Sequence, residues 1–138
     1  MMKLRKGKPL LASALLAVAA ATATFAAAGT LQAVDVKQGA VLQSRGALLL
    51  DVRESDEYAE GHAPGSTLIP LGQLQHRLQE IDGYQNKPIV LICRSGRRSE
   101  QALKLLERAG FSAAVNVEGG MIAWQKAGLK VISGAASR

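Results

Sequence analysis

Residues 91–103 read LICRSGRRSEQAL and hold the chain's single cysteine, Cys93, with Arg94, Arg97 and Arg98 close behind it. A thiol attacks only as the thiolate, and nearby arginines or a helix N-terminus lower a cysteine pKa. The order here is an apolar run, Cys93, a loop containing Gly96, and then a helical pattern. If the run is a buried strand, Cys93 stands at its carboxyl end, where open α/β sheets bind ligands. A helix starting near Arg97 to Ser99 aims its free N–H groups and the positive end of its dipole back at the thiol. The same groups make an anion site. Gly96 lets the loop backbone turn inward, and the guanidinium groups can donate to an oxyanion. The competing reading is a small apolar residue that ends a core strand. The strand-end position, the glycine and three arginines within five residues favour a reactive thiolate.

Four short apolar runs are available to position that loop: ALLLDV (47–52), STLIPL (66–71), PIVLIC (88–93) and AAVNV (113–117), with a weaker first strand near Leu31 to Val36. Near-continuous apolar runs without polar alternation fit a parallel sheet covered on both faces. Helical patterns lie between them. After the cysteine loop, Ala102, Leu103, Leu105, Leu106 and Ala109 share a face, Glu100 and Lys104 form an i,i+4 pair, and Gly110 ends the helix. Gly72 to Ile81 offers Leu74, Leu78 and Ile81 at helical spacing, and Met121 to Ala127 follows Gly119-Gly120. Strands alternating with helices predict one α/β domain with a mainly parallel sheet of about five strands and helices on both faces.

Other reactive-looking residues have structural readings. Asp51, Arg53 and Glu54 are expected to form an ion-pair and hydrogen-bond network at a strand end rather than an acid–base centre. His62 sits beside Pro64-Gly65 and reads as part of a turn, not as a base for Cys93. His62, His76 and one cysteine make a poor ligand set, so no metal is assigned. Gly119 and Gly120 lack dinucleotide-fingerprint spacing and are expected to form a tight turn beside the site. Trp124 is read as packing.

The N-terminal MMKLRKGK contributes Lys3, Arg5, Lys6 and Lys8, and a charge-free run that is mostly Ala and Leu follows from Pro9 to Gly29. This is the layout of a secretory signal peptide. Residues 1–28 are assigned to it, with cleavage expected within 23–33 and residues 34–133 as the remaining domain. A retained span is the alternative, disfavoured because the run is poor in the large aliphatics that favour stable insertion. Of 17 basic residues in the 138-residue chain, four lie in this segment, leaving 13 against 11 acids, a net of +2. The basic balance therefore belongs to targeting and does not argue for nucleic acid. Export implies the periplasm, where disulfides form, yet one cysteine cannot close an internal bridge.

The segment around Cys93 resembles the active-site loop of the rhodanese (thiosulfate sulfurtransferase) family. LLLDVRESDEYAEGHAPGSTLIPL (48–71) is similar to that family's DVR-E-E-GHIPGA-NIP signature, and VNVEGGMIAWQKAG (115–128) to its closing Gly-Gly and Trp segment. The three motifs fall in the family's order, and the chain looks most like the small periplasmic single-domain type. The resemblance implies a six-residue loop, Cys93-Arg94-Ser95-Gly96-Arg97-Arg98, around the substrate anion. Cys93 would take the sulfane sulfur of thiosulfate as a persulfide and pass it to cyanide or another thiophile, without a cofactor. Backbone N–H groups of Arg94 to Ser99 would hold the anion, with Arg98 as the first-ranked side chain and Arg94 the second. Cysteine phosphatases and arsenate reductases place an arginine after five intervening residues, where this chain has Ser99. A persulfide carrier and an idle binding module are the further alternatives.

Overall fold

The computed structural model describes residues 2, 3, 7 and 33–137. Apart from residues 2, 3 and 7, the expected signal peptide lies outside the described residues.

Elements follow in the order β1 (Ala33–Val34), α1 (Val36–Ser44), β2 (Leu48–Asp51), α2 (Ser55–Glu60), β3 (Thr67–Leu68), α3 (Leu71–Leu74), a 3-10 helix (Leu78–Tyr84), β4 (Ile89–Ile92), α4 (Arg97–Arg108), β5 (Ala114–Val117) and α5 (Gly120–Lys126). The five strands form one sheet in the order β1-β5-β4-β2-β3, and every pairing within it is parallel. The expected α/β architecture is therefore present. All four residues of the middle strand β4 are buried, because helices cover both of its faces.

Side-chain alternation along β4 assigns each residue to one of two cores. Ile89, Leu91 and Cys93 pack with Leu50, Val52, Leu74, Ala102 and Leu106, on the face covered by α3 and α4. Val90 and Ile92 pack with Val36, Leu49, Met121 and Trp124, on the face of α1 and α5. Trp124 is thus a core residue, and Cys93 is directed to the α4 side by the same parity that buries Leu91.

Several segments differ from the expectation. The first strand is only two residues long, and Val36 opens α1 instead of ending a strand. Asp35 caps this helix, accepting from the Gln38 N–H at 2.8 Å while the Gln38 side chain accepts from the Asp35 N–H at 2.9 Å. The cap outweighs strand propensity there. Gly39 lets α1 lie close to the sheet: a Cβ would stand 3.1 Å from the Val117 side chain. Gly72 to Ile81 is not one helix. Leu74 and Ile81 are buried as their spacing predicts, but α3 stops at Leu74 and a 3-10 turn begins at Leu78. On α4 the Glu100–Lys104 pair forms at 3.8 Å, both side chains exposed.

The end of β2 carries a closed charge network. Asp51 is fully buried and Arg53 is 5% exposed. Arg53 donates to both Asp51 oxygens, with Nη2 to Oδ2 at 2.7 Å, and also to the carbonyls of Gly61 at 2.8 Å and Glu57 at 3.3 Å. The pair is structural, as its sequence context suggests, and it bolts α2 and the following turn to the strand beside β4. Replacing Arg53 by Met strands a buried carboxylate and is expected to cost about 3–5 kcal/mol. Denaturant unfolding checks this, and a loss below about 1 kcal/mol would show that the network carries little.

Candidate active site

Cys93 follows the last residue of β4 and is 1% exposed. Its sulfur accepts the Gly96 N–H at 3.1 Å and lies 3.3 Å from the Ser99 hydroxyl oxygen. Gly96 is the N-cap of α4 with φ 103°, and no side chain caps that helix. Its first-turn N–H groups and dipole are therefore left for the sulfur and for an anion beside it. Burial pushes the thiol pKa up. The Ser99 hydroxyl and the N–H groups of Ser99, Gly96 and Ser95 outweigh that, and the net shift is downward. Hydrogen bonding leads in favouring the thiolate here, and the Arg98 guanidinium is coupled to it through charge as well.

The loop backbone is held from the opposite side by α5. Met121 N–H donates to the Cys93 carbonyl at 2.8 Å and Ile122 N–H to the Arg94 carbonyl at 3.1 Å. These are orphan donors of an α5 N-terminus that has no side-chain cap. The approach requires glycine: at Gly120, φ 52°, a Cβ would stand 2.3 Å from the Cys93 carbonyl oxygen and 2.6 Å from the Arg94 carbonyl. Gly119-Gly120 thus forms the tight turn expected from its sequence.

The arginines part company. Arg98 donates from Nη1 and Nη2 to the two Glu57 oxygens at 2.6 and 2.7 Å, tying α4 to α2. Arg94 and Arg97 are exposed and make no ion pair among the described residues. Arg94, with Arg53, Glu57, Glu60, Met121 and Ile122, lines a cavity of about 480 Å³. Ser95, Gly96 and Arg97 line a second cleft of about 440 Å³, with Asn116, Glu118 and Gly119. Cys93 lines neither.

Three residues of this site had no role in the sequence reading. Glu57 holds Arg98, and the Arg98 hydrogen bonds lower its pKa to about 2 despite some burial. Its partner is distant in sequence, and the one local signal there is the three-residue spacing of Glu54 and Glu57, which forms the capping box of α2. Asn116, on β5, accepts from Ser99 at 2.5 Å and donates to the Gly96 carbonyl at 3.2 Å. A polar side chain inside the apolar run AAVNV is the signal that was available. Met121 contributes a backbone donor, which no side-chain reading detects. His62 is distinct from the site. Its Nδ1 donates to the Tyr58 carbonyl at 2.8 Å and its ring stacks on Tyr58 at 3.6 Å.

The model of the rhodanese-like domain family matches residues 33–127, and the chain belongs to this family. YrkF of Bacillus subtilis, whose name assigns it provisionally to sulfur carriage, is 45% identical over 76 residues, covering 55% of this chain and 40% of YrkF. The chain thus spans less than half the length of that relative. A sulfurtransferase of Allochromatium vinosum is 36% identical over 86 residues, 62% of this chain and 78% of its own. The structure of a thiosulfate sulfurtransferase from Pseudomonas aeruginosa superposes with a TM-score of 0.68 at 27% identity, covering 77% of this chain and 21% of that one. Sulfur transfer is the chemistry common to these names.

Two outcomes follow from the geometry. Gly120→Ala combines a positive φ with a clash against two carbonyls and should cost about 2–4 kcal/mol, read as a fall in unfolding midpoint. Because the folded Glu57 pKa of about 2 lies below its ordinary 4.5, its contribution is complete above about 4.5 and fades as pH falls toward about 2. Thermal melts of wild type and Glu57→Gln should therefore differ at neutral pH and converge in acid. Parallel curves would refute the pairing.

Proposed function

We propose that the chain is a thiosulfate sulfurtransferase that works through a persulfide on Cys93. One observation carries the reading. The Cys93 sulfur sits in a six-residue loop, hydrogen-bonded by the Gly96 N–H at 3.1 Å and 3.3 Å from the Ser99 hydroxyl, at the uncapped N-terminus of α4.

The thiolate attacks the outer, sulfane sulfur of thiosulfate. A bond forms between the two sulfurs, the S–S bond of thiosulfate breaks, and sulfite leaves with its electron pair. N–H groups of the loop from Arg94 to Ser99 stabilise the sulfonate and then the persulfide anion. Cyanide, or a thiol acceptor, next attacks the outer sulfur and returns Cys93 to the thiolate. Arg94 and Arg97, which make no ion pair among the described residues, draw the dianion in. Arg98 acts mainly through Glu57, as a brace for the loop. Ser95 and Gly96 contribute backbone, and Ser99 contributes both hydroxyl and backbone. No metal or cofactor takes part. The basic and apolar N-terminal segment supports action in the periplasm after signal cleavage.

A carrier that loads sulfur and passes it to one specific thiol is the second reading, favoured by the likeness to YrkF. Phosphate-ester chemistry is disfavoured because Ser99 stands where its arginine would be.

Purified protein incubated with thiosulfate should gain one sulfur atom by intact mass, lose it to cyanide as thiocyanate, and do neither as Cys93→Ser. Arg94→Ala should raise KM for thiosulfate about tenfold with a smaller change in kcat, the loss of roughly 1.4 kcal/mol of binding. No mass gain in the wild type sinks sulfur transfer. A mass gain without thiocyanate turnover selects the carrier, and faster turnover of an aryl phosphate than of thiosulfate selects the phosphatase.

A further inference from the structure

Ser99 is fully buried and its one hydroxyl proton has three claimants. Its oxygen lies 2.5 Å from Asn116 Oδ1, 3.1 Å from the Gly96 carbonyl and 3.3 Å from the Cys93 sulfur. A carbonyl and an amide oxygen only accept. The amide orientation is fixed as well, because Asn116 Nδ2 donates to the Gly96 carbonyl at 3.2 Å; the flipped amide would set two acceptors against each other. The shortest contact takes the proton, so Ser99 donates to Asn116 and offers a lone pair to sulfur. The protonated Cys93 thiol then donates to Ser99. When that S–H proton leaves to solvent, the arrangement no longer suits the anion, since the new thiolate faces a lone pair. The hydroxyl must turn about its Cβ–Oγ bond and donate to sulfur, releasing Asn116 Oδ1. Asn116 is half-buried and lines the cleft beside Gly96, so solvent can receive that oxygen.

We propose that Asn116 is a positioning residue for the nucleophile: it holds the Ser99 proton away from sulfur in the thiol state and yields it when the thiolate or persulfide forms. The inference rests on reading Cys93 as the nucleophile. Asn116 thereby opposes ionisation through Ser99, while its Nδ2 keeps Gly96 in place. The charged groups around the sulfur stay the same when Asn116 changes. These are Arg94 and Arg97 of the loop, Arg98 with its partner Glu57, Glu100 on α4, the closed Asp51–Arg53 pair at the end of β2, and Glu118 after β5. The first turn of α5 brings no acidic side chain.

The test is the pH profile of iodoacetamide alkylation of the full chain, which reports the Cys93 pKa whether or not sulfur is transferred. Asn116→Ala is expected to lower the apparent pKa by about one unit, a tenfold gain in thiolate below it, and Ser99→Ala to raise it. In the Ser99→Ala background, Asn116→Ala should shift nothing. An unchanged or raised pKa in Asn116→Ala, or the same fall in both backgrounds, would overturn the proposal. If Asn116→Ala does not fold, Asn116→Asp decides. It keeps an acceptor and should raise the pKa more with Ser99 present than in Ser99→Ala, and equal rises would overturn the coupling. A protein that shows the coupling yet gains no sulfur from thiosulfate loses the sulfur-transfer reading alone.

Discussion

Two hydrogen bonds, from the Met121 and Ile122 N–H groups to the carbonyls of Cys93 and Arg94, hold the conformation on which the site depends. A trans peptide is planar, with C=O and N–H on opposite sides. Turning the Cys93 and Arg94 carbonyls toward α5 therefore turns the N–H groups of Arg94 and Ser95 away from it, and the Ser95 N–H is among the groups that favour the thiolate. The cradle is an outcome of where the carbonyls go. Gly120 is the residue that permits it, since any Cβ there would occupy the space of the Cys93 carbonyl.

Charge around the site is arranged in closed pairs plus a free surplus. Asp51–Arg53 and Glu57–Arg98 are each satisfied internally, and each ties α2 to another element, the first to β2 and the second to α4. Arg94 and Arg97 remain at the loop rim with no ion pair among the described residues. Under the proposed reaction, long-range attraction for the donor anion and short-range stabilisation of sulfur are thus carried by different groups. The rim arginines supply a screened field, while the hydrogen bonds act at contact distance inside a buried site, where they are less screened.

The buried strands, α4 and its position after Cys93 were legible because near-continuous apolar runs and a clean amphipathic face are local signals. Helices α1 and α2 were not read, because their evidence is capping at Asp35 and Glu54 rather than periodicity, and α1 has Gly39 in its interior, where it serves the close approach to Val117. The loop itself was legible as an ordered string of residues. The division of labour among its arginines was not, because the carboxylate that claims Arg98 arrives from α2, 41 residues away. Asn116 was hidden for the same reason. Its partners Gly96 and Ser99 meet it only once β5 lies beside β4, in the register that pairs Leu91 with Asn116.

A cysteine that is only 1% exposed also restricts what can meet its sulfur. Only an atom that ends a substrate can enter a ring of backbone N–H groups, and the atom must tolerate that crowd of donors on its far side. Under the proposed reaction the sulfane sulfur of thiosulfate satisfies both conditions, because it projects one bond beyond a sulfonate that can itself accept the N–H groups. A phosphoryl group offers its reactive atom from inside a tetrahedron of oxygens and needs a wider ring to expose it. The shortness of the loop and the depth of Cys93 thus act in the same direction. The cavity of about 480 Å³ beside Arg94 lies in the size range of sites for organic ligands and is larger than a bare oxyanion needs. That surplus space flanks Arg94, the arginine proposed to meet the donor, and is bounded on its other sides by Glu57, Glu60 and the first turn of α5.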